Sequence, residues 1–106
     1  MRFLSLWHPD PASLTGAPSA ETMAKMGALI EKMTKDGTLV ATGGLAPAGT
    51  RVKRAGEKVT VSEGPSKPIG GFAIFEVRSR EHVLELTRTF LALAGNGECE
   101  LHALMD

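Results

Sequence analysis

The sequence predicts an α+β fold, a four-stranded antiparallel sheet with two helices on one face and a small hairpin attached. Three observations carry this. Two stretches, Met23 to Met33 and Val83 to Leu93, repeat apolar residues at spacings of three and four. Shorter runs around them are rich in strand formers and bounded by Gly, Pro and Asp. Their order along the chain is strand, helix, strand, hairpin, strand, helix, strand.

Arg2 to Trp7 is a short apolar strand that the prolines of HPDP, Pro9 and Pro11, bring to a stop. After a loop reaching Pro18, Ser19 is placed to cap a helix with Glu21 in its first turn. Met23, Met26, Leu29, Ile30 and Met33 form its apolar stripe. Glu21 with Lys25, and Glu31 with Lys35, are acid-before-base pairs four apart on the solvated side, and Asp36-Gly37 stops the helix. Thr38 to Leu45 is a second strand, in which Gly43-Gly44 marks a bulge or a close approach, and Pro47 ends it.

RVKR and KVTV flank Ala55-Gly56-Glu57 and read as an exposed hairpin. Arg51, Lys53, Arg54 and Lys58 give it a basic patch, whose plain role is solubility and protection of a sheet edge. GGFAIFEV is apolar at both parities, so a strand buried on both faces is expected. Ser79 caps a second helix with the stripe Val83, Leu86, Phe90 and Leu93, which Gly95-Asn96-Gly97 ends. In ECELHALM, Cys99, Leu101, Ala103 and Met105 face one way and Glu98, Glu100, His102 and Leu104 the other. This set of elements fits the ferredoxin-like split arrangement. With the helices over Leu4, Leu6, Leu101, Ala103 and Met105, the other face would show Phe3, Trp7, Leu104 and one parity of GGFAIFEV. An apolar face of that kind is expected to be covered by a second copy of the chain.

A length of 106 residues fits a single domain, 1–106. Twelve basic residues balance twelve acidic ones, so no overall field holds a nucleic acid or an anionic membrane. FLSLW is too short for the core of a signal peptide, and nothing approaches the roughly 20 apolar residues of a membrane span. The chain reads as cytoplasmic. Its one cysteine, Cys99, reads as a small buried hydrophobe in a strand.

The segment SEGPSKP, between the hairpin and GGFAIFEV, presents Glu63, Ser66 and Lys67 on an arc stiffened by Pro65 and Pro68. It either shapes the connection into the next strand or brings Glu63 and Lys67 to a ligand. Glu100 and His102 lie two apart on one strand face, roughly 6.5 to 7 Å along it. A carboxylate beside an imidazole is a workable acid-base pair, and equally an ordinary ion pair on an edge strand. Trp7, with Ser5 two residues before it, is expected to wall the same inner-face pocket or to belong to core or interface. No metal site is expected. Cys99 and His102 are three apart, which sends them to opposite faces of a strand, and His8 and Asp10 lie in a proline-bounded turn without a third ligand. GGLAPAG and GNG lack the context of a phosphate loop.

Gly44-Leu45-Ala46-Pro47, RVKRAGEKVTV, Ser62-Glu63-Gly64-Pro65-Ser66 and Gly70-Gly71-Phe72 follow one another in an order that resembles the YCII-related proteins, in the branch named for a DGPF motif. The resemblance runs nearly end to end. It departs from the family pattern at Glu63 for Asp, Ser66 for Phe, Gly43 for an acidic residue, and Glu100-Leu101-His102-Ala103 for Glu-x-Arg-Pro. It implies a dimeric α+β barrel, two ferredoxin-like protomers packed sheet to sheet. Some relatives resemble companions of sigma-type transcription factors, which implies a regulatory protein partner.

The functional expectation is a homodimer that binds or transforms a small organic molecule between its sheets, without a cofactor. The accessible chemistry is a lyase or isomerase step in which His102 moves a proton and Glu100 orients it. The alternative is a non-catalytic ligand-binding or regulatory accessory protein.

Overall fold

The computed structural model describes residues 1–13, 19–46, 48–64 and 69–105. In chain order they form β1 (Arg2–Pro9), α1 (Ala20–Lys35), β2 (Leu39–Gly44), β3 (Thr50–Ala55), β4 (Lys58–Glu63), β5 (Gly71–Glu76), α2 (Arg80–Ala94) and β6 (Gly97–Ala103). The main sheet is antiparallel with strand order β2-β5-β1-β6, and among the described residues β3 pairs only with β4. This is the α+β arrangement that the element order predicts.

Both helices begin where a serine hydroxyl replaces the missing turn of backbone acceptors. Ser19 Oγ accepts from Thr22 N at 3.1 Å, and Ser79 Oγ accepts from His82 N at 3.1 Å. On the outer side of α1, Lys25 meets Glu21 and Lys35 meets Glu31, each at 3.0 Å. The inner stripes meet the sheet in a core of Phe3, Met33, Leu39, Phe75, Val77 and Val83, with Leu29, Ile30, Leu86 and Leu101 against it. Met23 is an exception to the α1 stripe. It stands 62 % exposed in the first turn.

The face assignment of β1 is the reverse of the sequence expectation. Phe3 pairs with Ala103, Ser5 with Leu101 and Trp7 with Cys99, so these residues share the helix-covered face. Leu4 pairs with His102 and Leu6 with Glu100, on the helix-free face. FLSLW is apolar at both parities, so its pattern cannot choose a side, and cross-strand register decides. The helix-free face therefore carries Leu4, Leu6, Phe72 and Ile74, all half-buried.

β1 also runs two residues further than the prolines suggested. Asp10 N donates to Asn96 O at 3.1 Å, so the ladder to β6 continues through Pro9. Bonds to β6 fall on even-numbered residues of β1, as Leu104 N to Arg2 O and Asp10 N to Asn96 O show. Pro9 lies between them opposite Gly97, at a position where its missing N–H costs nothing. The bulge of β2 falls between Leu39 and Ala41 rather than at Gly43-Gly44, whose role is close approach to β5. Pro47 and the arc of Pro65, Ser66, Lys67 and Pro68 lie outside the described residues.

Candidate functional site

The helix-covered face does not fill completely. Between it and the two helices lies a cavity of about 350 Å³, bounded by Trp7 of β1, Met26 and Ile30 of α1, Phe75 of β5 and Phe90 of α2. Trp7 meets Phe90 edge-on, with ring centroids 5.3 Å apart and planes at 84°. That geometry sets the positive edge of one ring against the negative face of the other. The side toward β2 and β5 is made of Gly43, Gly44, Gly70 and Gly71. A Cβ on Gly43 would stand 2.9 Å from Phe72 Cε1, and one on Gly70 would stand 2.9 Å from Trp7 Cδ1. These glycines let two aromatic rings lie directly against backbone.

Polar groups in the lining are few. Ser5 is 7 % exposed, and its hydroxyl also bonds the Cys99 side chain. Thr42 Oγ1 donates to Phe72 O at 2.9 Å, which leaves its lone pairs able to accept from a ligand. The described lining residues are aromatic, aliphatic, hydroxyl-bearing or glycine. Such a lining offers shape, stacking and two hydroxyls, with proton transfer left to groups elsewhere. Burial pushes the Cys99 thiol above its ordinary value, against a smaller lowering by the Ser5 bond.

On the opposite face of the sheet, Glu100 and His102 stand side by side, as their spacing predicted. Glu100 Oε2 accepts from His102 Nε2. The sequence reading missed the third member. His8, assigned to a turn, is in β1 on this same face, 7 % exposed, with Nε2 3.3 Å from Glu100 Oε1. One carboxylate thus stands between two imidazoles. Because it can only accept, it holds the His102 ring with hydrogen on Nε2 when that ring is neutral, whereas the approach of His8 Nε2 is at ion-pair distance without hydrogen-bond alignment. The signal that could have found His8 is parity: residues 4, 6 and 8 of β1 alternate with 3, 5 and 7 once the strand passes through Pro9.

The expected site therefore divides. Trp7 and Ser5 line the cavity under the helices, whereas Glu100 and His102 lie on the helix-free face, so the four do not share one pocket. Glu63 ends β4 and accepts from Thr50 Oγ1 at 3.2 Å across the hairpin. Lys67 lies outside the described residues. Among those residues no three His, Cys, Asp or Glu side chains are grouped to hold a metal ion, and no helix is long and apolar enough to cross a membrane.

Comparison with known proteins bears on the fold. No curated protein matches the sequence. Among solved structures, the chain is similar to 5-chloro-2-hydroxyhydroquinone dehydrochlorinase (TftG) from Burkholderia phenoliruptrix, determined in complex with 2,5-dihydroxybenzoquinone. The TM-score is 0.58 at 17 % identity, over 99 % of this chain and 94 % of that one. The divalent cation tolerance protein (Cut A1) from Thermus thermophilus aligns with a TM-score of 0.48 at 12 % identity, over 100 % of this chain and 86 % of that one. Residues 1–98 match the YCII-related domain. With that match spanning almost all of a chain that has the expected α+β fold, the protein belongs to the YCII-related family.

Proposed function

We propose that the protein is a cytoplasmic homodimer of the DGPF-motif branch that binds a small, flat, largely apolar organic molecule in the cavity beneath its helices. The cavity carries this reading. Its volume of about 350 Å³ lies within the ordinary range of ligand sites. Aromatic and aliphatic walls with two hydroxyls are the usual composition of a site for an apolar ring bearing one or two polar substituents. The ring bound by the dehydrochlorinase is likewise flat and six-membered, and with two hydroxyls and two carbonyls it is more polar than this lining favours. The homodimer rests on the half-buried Leu4, Leu6, Phe72 and Ile74 of the helix-free face. The branch rests on Gly44-Leu45-Ala46-Pro47 and Gly70-Gly71-Phe72.

Trp7 is the only tryptophan, so its indole N–H is a reporter within the cavity wall. A titration with 2,5-dihydroxybenzoquinone and related hydroxylated rings, followed by NMR, should shift that signal saturably. Ala73→Leu, which projects extra volume into the lining, should abolish the shift while circular dichroism stays unchanged. A panel that never saturates the signal, or binding indifferent to Ala73→Leu, would remove the cavity from consideration.

The second reading keeps proton transfer on the helix-free face, with His102 as acid-base and Glu100 as its orienting group. The contact of Glu100 with both His8 and His102 favours it. A carboxylate holding hydrogen on Nε2 turns His102 Nδ1, the potential proton acceptor, away from itself. Under this reading a substrate would sit between two sheets in the dimer, and His102→Ala would abolish turnover without changing occupancy of the Trp7 cavity. Where only binding is found, the accessory role, with a regulatory protein as partner, is the better description.

A further inference from the structure

The two hydroxyls of the cavity stand in one row of the sheet. Ser5 of β1 and Thr42 of β2 both pair with Ala73 of β5, so the three lie opposite one another across neighbouring strands, on the helix-covered face. Strands are about 4.8 Å apart, which separates the Cα atoms of Ser5 and Thr42 by roughly 10 Å, with only the Ala73 methyl group between them. The two ends differ in depth. Ser5 is buried at the centre of the sheet, whereas Thr42 is exposed on the edge strand, so the cavity reaches the surface at Thr42.

What each hydroxyl already holds sets what it has left to offer. Thr42 has one O–H, committed to Phe72 O at 2.9 Å, which leaves lone pairs that accept and no proton to give. Ser5 bonds the Cys99 side chain, and whichever partner donates, a hydroxyl with two lone pairs keeps at least one of them to accept. We propose that Ser5 and Thr42 determine specificity in the cavity by accepting hydrogen bonds from hydroxyl groups at opposite, 1,4 positions of one six-membered ring lying over Ala73. This rests on the reading of the cavity as a ligand site and adds which ring it takes. A single ring substituted at opposite positions, with an O–H···O bond of about 2.7 Å at each end, spans a length of the same order as the row. A 1,2-diol has its hydroxyls on one side and reaches one end only. A 1,4-dimethoxy ring has the length but no proton, and sets an ether oxygen against the buried lone pair of Ser5. Ser5 carries the larger share of the discrimination, because water replaces a lost partner at the exposed Thr42 and not at Ser5.

The test is an NMR titration of the Trp7 indole signal with 1,4-dihydroxybenzene, 1,2-dihydroxybenzene and 1,4-dimethoxybenzene, under argon so that the diols stay reduced. In the parent the 1,4-diol should bind about fivefold more tightly than the 1,2-diol and about tenfold more tightly than the dimethoxy ring, each missing hydrogen bond being worth a few-fold. Thr42→Val, which keeps the shape and removes the hydroxyl, should weaken the 1,4-diol about threefold and leave the dimethoxy ring unchanged. Thr42→Ser should restore the preference. Ser5→Ala, with circular dichroism as the check on folding, should bring the 1,4-diol close to the dimethoxy ring; if that variant does not fold, the two Thr42 variants decide. Equal binding of the three rings, tighter binding of the dimethoxy ring, or a preference that survives in either hydroxyl-free variant overturns the proposal and leaves the cavity as a ligand site. An indole signal that no ring shifts removes that site and the proposal with it.

Discussion

Trp7 and Phe90 meet edge to face across the cavity, 5.3 Å between centroids, and so join the strand at the centre of the sheet to the helix that roofs it. The same rings wall the space proposed for a ligand.

Phe90→Leu keeps apolar volume but removes the ring pair, and should cost about 0.5–1.5 kcal/mol beyond lost area. Gly70→Ala acts from the other side of the indole. Its Cβ would lie 2.9 Å from Trp7 Cδ1 and 3.1 Å from Pro9 Cδ, an overpacking worth about 1–3 kcal/mol. Urea midpoints with Trp7 fluorescence as the probe measure both. Two variants as stable as the parent would mean that the indole has room the geometry denies it.

Glu100→Gln should disturb His102. The amide is neutral and one of its two ends is an N–H donor, so it no longer presents an acceptor oxygen to His102 Nε2 whichever way it turns. Long-range nitrogen NMR at alkaline pH should show His102 as the Nε2–H tautomer in the parent and as a mixture in the variant. His82, whose Nδ1 accepts from Arg78 N at 3.5 Å, serves as the control. An unchanged tautomer at His102 would dissolve the pair.

Cys99 should be a slow nucleophile. Burial holds its thiol above the ordinary value, so the thiolate is scarce near neutral pH and alkylation by iodoacetamide should lag a free thiol by about tenfold. Linkage has a definite sign here. The folded value is the higher one, so the contribution is complete below about pH 8.5, the unfolded thiol value, and is lost as pH rises through the folded value. Cys99→Ala should flatten stability against pH on the alkaline side.

Asp36 behaves oppositely. Side-chain and backbone hydrogen bonds from Thr38, the latter at 3.0 Å, hold its carboxyl below the ordinary value as the chain leaves α1 for β2. Its contribution is present above about pH 4, the unfolded carboxylate value, and is lost as pH falls through the lower folded value. Asp36→Asn should therefore lower stability at neutral pH and reduce its loss on acidification, as urea midpoints from pH 7 to pH 3 would show.

Local chemistry was legible in the residues themselves. Serines at 19 and 79, the three-and-four spacing of Met26 to Met33 and Val83 to Leu93, and the Gly56-Glu57 turn each act within a few residues, so the chain order alone specifies both helices and the hairpin. Alternation along ECELHALM likewise placed Glu100 beside His102, because neighbours two apart on a strand share a face whatever the rest of the fold does. What only the tertiary structure decided is which face meets the helices. FLSLW can turn either side inward, and the register of Leu4 with His102 and Ser5 with Leu101 resolves it, sending Trp7 and Ser5 under the helices and away from Glu100. The same register carries β1 past Pro9 and brings His8 to Glu100. The cavity, too, is a property of packed layers. Gly43, Gly70, Met26 and Phe90 lie far apart in the chain and enclose a common space only after sheet and helices have met.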